Sequence, residues 1–260
     1  MKHPALNPLA LANQAAPGHA PIPFRRLLRV EWRKGVDTRA ARWCLGVIAL
    51  LTCAAPMLPL FLPRQFEQSM LSYLFPTAVV LALLLPLVSI LTLTSEWSQR
   101  SVLVTFTQEP RRARVVGAKL LSGAGLALVG SAVALAASSG ALAISAALGR
   151  SVVWHLEWKY AVGFVAFVVI NSLMGMAFGA LLLNTPAAIV LFLVLPTIWT
   201  LISYGVLEDI GRWLDTAQTF RHVLEADWDG HTGPIMVSVA VWVAAPLAFG
   251  IVRTLRREVA

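Results

Sequence analysis

The chain has 260 residues, of which 58% are hydrophobic and only 13% are charged. This composition excludes a soluble globular protein, which would carry more polar surface. The apolar residues fall into six runs of about 18–30 residues, and about 20 suffice to cross the hydrocarbon core of a bilayer. Backbone polar groups in lipid must be satisfied within the segment, and the alternating pattern of a membrane β-barrel is absent. We therefore predict an all-α integral membrane protein with six transmembrane helices.

The net charge of +8 follows from the membrane topology and does not indicate nucleic-acid binding. Sixteen of the 21 Lys and Arg residues precede the first apolar run, lie between residues 100 and 119, or follow the sixth run. Because Lys and Arg concentrate on the cytoplasmic side of membrane proteins, we expect both termini in the cytoplasm of a cell-membrane protein. Cys44 and Cys53 lie half a helical turn out of phase in the first run, so we expect no disulfide between them.

The N-terminal 41 residues divide into two parts. Residues 1–23 combine five prolines with Ala, Asn and His, which predicts a disordered tail that is not a signal peptide. The next stretch, 24–41, has Arg on one helical face and apolar residues with Trp on the other, a pattern typical of a helix lying in the membrane interface. Glu31 falls on the apolar face. Its carboxylate either extends to water or forms a buried ion pair with a basic residue of the 95–119 segment.

The transmembrane domain is predicted to cover 24–257, which leaves 258–260 as a cytoplasmic tail. Pro56 and Pro59 are expected to kink the first span, because proline removes an amide donor. The third span is the richest in Gly and Ser, so we expect it to be heavily packed by its neighbours. Between the fifth and sixth spans, one apolar face predicts a surface-lying helix with Trp213, Ala217, Phe220 and Leu224. The spans are predicted at about 43–62, 71–94, 115–148, 160–183, 187–207 and 235–252.

Several kinds of chemistry are not indicated by the sequence. No ionisable residue is predicted at mid-depth in a span, which argues against an ion-coupled carrier, and Asn171 is the most polar residue there. The sequence has no GxxxxGK[ST] phosphate loop and no visible nucleophile–histidine pairing, so we predict neither enzymatic activity nor a cofactor in this chain. Asp227, Asp229 and His231 have the composition of a metal site, but acidic loops of this kind are usually solvated, and we expect no metal.

The 95–119 segment is the longest predicted cytoplasmic loop and reads SEWSQRSVLVTFTQEPRRARVVGAK. Pro110 disfavours helix at Glu109, which allows residues 98–107 to form a separate short helix. Apolar residues on one face of that helix would suit a groove on a partner protein. These are Val102, Leu103 and Phe106.

The alternative for this loop is a contact with lipid instead of protein. Its apolar face would then rest on the headgroups, and three basic side chains would be attracted to anionic lipid at roughly 1 kcal/mol each. These are Arg111, Arg112 and Arg114.

The sequence TSEWSQRSVLVTFTQEPRRARVVGAKLL resembles the segment after the second span of type-2 ABC transporter permeases, particularly the six-span actinobacterial kind. Arg100 and Ser101 stand where that family has Gly-Thr. The helix that contains Glu31 resembles the family's elbow helix, and the 208–233 segment fits the family plan. The residues that match the family pattern are Glu96, Trp97, Pro110, Arg111, Ala118, Lys119 and Leu120.

The resemblance implies a six-helix half-transporter that pairs with a second permease subunit, identical or paralogous, and with two separately encoded ABC ATPase subunits. The partner ATPases would bind ATP and Mg, and the loop would be a cytoplasmic coupling helix. A pathway lined by apolar residues favours an amphiphilic or lipid-like cargo moved by an exporter. The alternative is a membrane assembly or immunity protein that binds a partner without transport. The implied ATPase contacts are Glu96, Trp97, Val102, Leu103, Phe106, Pro110, Arg111, Arg112 and Arg114.

Overall fold

The computed structural model of this chain describes residues 22–98, 111–155, 157–205, 211 and 213–256. About 84% of these residues are helical, and none of them belongs to a β-strand. Six helices are long and apolar enough to cross a membrane, which confirms the prediction of an all-α protein with six candidate spans. Most of the 1–23 tail and the whole of the 258–260 tail lie outside the described residues.

The helices of the described residues are, in chain order, α1 (Phe24–Asp37), α2 (Arg39–Ala54), α3 (Met57–Phe61), α4 (Met70–Ser98), α5 (Arg112–Ala147), α6 (Trp158–Leu182), α7 (Thr185–Gly205), α8 (Thr216–Leu224), α9 (Thr232–Val239) and α10 (Ala245–Arg256). A π-helical turn, Ala240–Ala244, joins the last two of them. The candidate spans, numbered one to six, are the α2–α3 pair, α4, α5, α6, α7 and the continuous α9–α10 segment.

Proline breaks the first span but not the others that contain it. The α2 helix ends at Ala54, and the chain turns at Ala55 and Pro56 before α3 begins, so the break lies at the first of the two prolines named above. The α4 and α7 helices continue through their prolines, since helix neighbours can hold a proline-containing span together in a bundle. Those prolines are Pro76, Pro86 and Pro196.

Spans two and four form the centre of the bundle. Over their most apolar stretches, 50% and 56% of the residues are buried, against 28% in span three. The hydroxyl oxygens of Ser89 and Ser172 are 2.7 Å apart and join the two spans. A Cβ added to Gly175 would stand 2.7 Å from the carbonyl oxygen of Pro86. Small residues therefore allow the backbones of these two spans to approach closely.

Span three is packed along one stripe of its surface. Leu121, Leu128 and Ile144, on its other faces, are exposed. The heavy packing expected for this span is thus confined to one face, because its buried small residues recur every three or four positions. These are Ala127, Ser131, Ala134, Ser138, Ala141 and Ser145.

The two ends of the bundle are held by different contacts. At the first, which we call the Glu96 end, the hydroxyl oxygens of Thr94 and Thr185 are 2.6 Å apart, so span two ends beside the start of span five. At the second, which we call the Gln68 end, Gln68 Oε1 accepts hydrogen bonds from Tyr73 at 2.8 Å and from Ser145 at 2.6 Å. The spans therefore run between two defined ends of the bundle, the Glu96 end and the Gln68 end.

The α8 helix lies at the Gln68 end, between spans five and six. Phe220 and Leu224 are buried, whereas Trp213 is exposed. Gly163 of span four faces the carbonyl of Val223, a contact that leaves no room for a side chain. A helix is thus present in this segment, but it begins at Thr216, so Trp213 of the predicted apolar face lies outside it. Ala217 is exposed, and only Phe220 and Leu224 of that face are buried.

Candidate functional site

The α1 helix brings a carboxylate into the bundle. Its Leu27 and Glu31 are one helical turn apart and are both buried, and Glu31 is only 4% exposed. Trp32 packs against Gly125 of span three, where an added Cβ would come within 2.8 Å of the indole ring. Thr38 ends α1 and caps α2 by accepting a hydrogen bond from the Ala41 amide. The buried side of α1 thus faces spans two and three.

Four charged side chains meet at the Glu96 end and form what we call the charge cluster: Glu31, Lys34, Glu96 and Lys119. Lys119 Nζ donates to Glu31 Oε2 at 2.7 Å and lies 3.2 Å from Glu96 Oε1. Lys34 Nζ donates to Glu31 Oε1 at 2.8 Å and to Glu96 Oε1 at 2.7 Å. Each ammonium group therefore bridges both carboxylates, and the formal charges cancel.

Burial makes this pairing obligatory. The side chains of Glu31, Lys119 and Glu96 are 2%, 8% and 11% exposed, and that of Lys34 is 43% exposed. A buried charge is costly unless it is paired and hydrogen-bonded. Lys119 also donates to the Thr92 carbonyl at 3.3 Å. Burial alone would lower the pKa of Lys34, but hydrogen bonds to Glu31 and Glu96 outweigh it and raise that pKa above its ordinary value.

The charge cluster connects both ends of the 95–119 segment to α1. Glu96 ends span two and Lys119 lies in the second turn of span three, so the two residues stand on either side of 99–110. The segment 99–110 itself lies outside the described residues, as does the side chain of Trp97. Four of the implied ATPase contacts therefore lie outside the described residues: Val102, Leu103, Phe106 and Pro110.

The three arginines at the start of span three have different surroundings. Arg111 is exposed. Arg112 Nη1 donates to the carbonyls of Thr254 and Leu255, at 3.3 Å and 3.4 Å, in the last turn of α10. Arg114 Nη2 donates to the Ile22 carbonyl at 2.7 Å. Since the last carbonyls of a helix lack intrahelical donors and carry partial negative charge, the Arg112 contact joins spans three and six.

A second candidate site is an apolar cleft of about 390 Å³ between α8 and spans two, four and five. It lies towards the Gln68 end, and its walls include Phe75, Phe167 and Phe192. Asn171 and Arg221 are among its few polar lining residues. Concave apolar walls with a small number of polar groups are typical of ligand sites.

Sequence reasoning singled out three of the four members of the charge cluster. Glu31 was marked by its place on an apolar face, and Glu96 and Lys119 by the resemblance. The structure brings these three together and adds Lys34, which was missed. Its signal was its position three residues after Glu31, a spacing at which helical side chains meet.

No protein-family model matches this chain, and no curated protein matches it. The six apolar helices indicate a multi-pass membrane protein. Its function is therefore inferred from the charge cluster, the cleft and the resemblance in the 95–119 segment.

Proposed function

We propose that this chain is the membrane-spanning permease subunit of an ATP-driven ABC exporter. The resemblance to type-2 ABC permeases lies in residues 94–121, and two members of the charge cluster, Glu96 and Lys119, lie near the two ends of this segment. In such an exporter, two permease chains, identical or paralogous, would form the pathway. Two separate ABC ATPase subunits would bind ATP and Mg and drive the change between inward- and outward-facing states.

The observation that carries this proposal is the charge cluster. A loop that transmits force from a partner must be attached firmly, because flexible ends would absorb the displacement. Glu96 and Lys119 are both bonded to residues of α1, and Lys119 is bonded to Glu31 at 2.7 Å. Separating buried, paired charges leaves each one uncompensated, which opposes movement of one helix alone. A force on the 99–110 segment would therefore move α1, span two and span three together.

We place both termini and the Glu96 end on the cytoplasmic side of a cell membrane. This orientation is supported by the sixteen of 21 Lys and Arg residues that it assigns to that side. The α1 helix would be the elbow helix at the membrane surface, and the partner ATPases would approach from the same side.

An amphiphilic or lipid-like cargo suits the apolar cleft. The cleft walls are mainly aromatic and aliphatic, and Arg221 and Asn171 add polar groups to them. Such a surface offers little to a hydrophilic ion but fits a molecule with an apolar body and a polar head.

The proposal is tested by purifying the tagged chain from its own host and identifying the proteins that accompany it. We expect an ABC ATPase whose turnover in the complex is stimulated by amphiphilic compounds. Phe106→Asp should abolish recovery of the ATPase, because a carboxylate would replace the apolar contact, while the chain remains inserted and elutes as the wild type does. Trp154→Asp is the matched control, since Trp154 is an exposed aromatic residue at the Gln68 end, and it should retain the ATPase.

Recovery of the ATPase by Phe106→Asp at the wild-type yield would end the coupling assignment and favour a loop that rests on lipid. Recovery of a different partner, with no ATPase in the wild-type complex, would instead support the assembly or immunity protein.

A further inference from the structure

Two histidines and an aspartate meet in the connection between α8 and α9, and we call this group the histidine site: His222, Asp227 and His231. His222 lies in the last turn of α8, and His231 immediately precedes α9. Each residue offers one ligand atom, and these atoms lie within 4.8 Å of one another. Span five starts at the Glu96 end, so this connection is at the opposite, Gln68 end. The site shares no residue with the charge cluster or with the lining of the cleft.

Two separations in the histidine site are close to those between ligands of a small tetrahedral ion. Nδ1 of His222 and Nδ1 of His231 are 3.1 Å and 3.4 Å from the same oxygen, Asp227 Oδ2. For metal–ligand bonds of about 2.0–2.1 Å, the corners of a tetrahedron are about 3.3 Å apart. The two imidazole rings are stacked, with centroids 3.8 Å apart and planes inclined by 12°. Each ring has a nitrogen within 3.4 Å of the same carboxylate oxygen, and a rotation of one ring about its side-chain bonds would point both nitrogens at one ion.

One ring nitrogen in this group makes no hydrogen bond in the described structure. Within the part of the chain that the structure describes, His231 Nδ1 is a buried atom that makes no hydrogen bond, although Asp227 Oδ2 is 3.4 Å away. Buried polar atoms without a partner are uncommon in proteins, and each calls for an explanation. In the tautomer that carries its proton on Nε2, this nitrogen has an electron pair that a bound cation would use.

We propose that His222, Asp227 and His231 bind a divalent transition-metal ion of the Zn²⁺ class. Two imidazole nitrogens and one carboxylate oxygen are the ligands that Zn²⁺ accepts, whereas Ca²⁺ and Mg²⁺ require oxygen ligands. The Asp227 side chain is 50% exposed, so solvent reaches the site and a water molecule would complete the coordination. The ion would connect the end of α8, which packs on span four, to the start of span six.

The backbone holds the three ligands in place without the ion. The Asp227 amide donates to the His222 carbonyl at 2.9 Å, and the His231 amide donates to the Trp228 carbonyl at 3.1 Å. Ala226 and Gly230 adopt positive φ values of 53° and 79°, which reverse the chain on either side of Asp227. A backbone that is ordered before the ion arrives favours tighter binding, because less ordering is required on binding.

The test uses the full chain, purified in detergent without a histidine tag, in a background that lacks the other histidines. The sequence has five histidines, so His3→Ala, His19→Ala and His155→Ala together leave only the two of the histidine site. Calorimetric titration with ZnCl₂ should give about one ion per chain, and Co²⁺ should give the visible absorption of a tetrahedral complex. Adding His222→Ala or Asp227→Asn should weaken Zn²⁺ binding by more than about tenfold, since even outer partners of a metal site contribute 10–100-fold.

Two variants separate metal binding from folding. Asp227→Asn keeps a side-chain oxygen to accept a hydrogen bond from His222, so its elution profile should match the wild type while its affinity falls. Asp229→Asn removes an exposed carboxylate two residues away and should bind Zn²⁺ as the background does. Unchanged affinity in both His222→Ala and Asp227→Asn, or an absence of Zn²⁺ binding by the background protein, would overturn the proposal.

Discussion

Replacing Glu31 by Gln removes one carboxylate from the charge cluster while keeping the shape of the side chain. Lys119 is then left with Glu96, 3.2 Å away, in a position where the lysine side chain is 8% exposed. Removal of one partner from a buried ion pair costs about 3–5 kcal/mol. Because Glu96 remains, we expect the lower end of that range. A loss of about 3 kcal/mol in the free energy of unfolding lowers the folding equilibrium constant more than roughly a hundredfold.

The assay is reversible unfolding of the purified protein in mixed micelles with increasing SDS, followed by tryptophan fluorescence. A double-mutant cycle with Lys119→Met isolates the interaction between the two side chains, and we expect a coupling energy of about 2 kcal/mol. Glu157→Gln is the control, because Glu157 pairs with Lys159 at 3.0 Å while both side chains are at least 40% exposed. Exposed pairs contribute little to stability, so this control should leave the unfolding midpoint unchanged.

An unfolding midpoint for Glu31→Gln equal to that of Glu157→Gln would refute this reasoning. The reasoning would also be refuted if the losses of unfolding free energy in Glu31→Gln and Lys119→Met simply add in the double variant. Either result would mean that the Glu31 carboxylate extends to water in solution, which is the other reading that the sequence allowed.

The remaining predictions concern packing and orientation. Gly175→Ala should destabilise the protein by about 1–3 kcal/mol, because the added Cβ would stand 2.7 Å from the Pro86 carbonyl oxygen. Gly140→Ala meets nothing within 4 Å and should be neutral or slightly stabilising in the same unfolding assay, so equal effects would contradict the close contact of spans two and four. In a Cys44→Ser and Cys53→Ser background, a membrane-impermeant maleimide should label Asp229→Cys in intact cells and Gln108→Cys only after permeabilisation. The reverse pattern would invert the proposed topology.

The helical spans could be predicted from the sequence because the bilayer leaves few alternatives. An apolar run of about 20 residues in lipid must satisfy its own backbone, so length and composition alone specify a helix. Which spans contact one another was harder to predict from the sequence. Span three is rich in Gly and Ser, yet its buried stripe is made of Ala and Ser, and an added Cβ at its Gly140 would meet nothing within 4 Å. The centre of the bundle is made instead by Gly175 of span four against Pro86 of span two. Which face of a helix meets which neighbour depends on contacts that are distant in sequence.

The grouping of residues in the histidine site could not be predicted from the sequence, for a different reason. The sequence drew attention to Asp227, Asp229 and His231 because they alternate in one short loop. The structure instead groups His222 with Asp227 and His231, and Asp229 is exposed. The reason is the turn after α8, in which Ala226 takes a positive φ of 53° and the chain folds back on the last helical turn. Glycine or asparagine would have signalled such a turn, but alanine rarely adopts that conformation.

The charge cluster is better explained as a device that fixes the relative positions of three helices than as a source of folding stability. Buried ion pairs can often be replaced by apolar residues of similar size with little or no loss of stability. An apolar contact, however, tolerates sliding, whereas Lys119 Nζ at 2.7 Å from Glu31 Oε2 and Lys34 Nζ at 2.7 Å from Glu96 Oε1 fix one arrangement of three helices. We therefore expect the Glu31→Gln and Lys119→Met double variant to be more stable than the two single effects predict, yet to stimulate the proposed partner ATPase less than the wild type does. A double variant that regains stability and full ATPase stimulation together would show that the position of the loop ends does not depend on these charges.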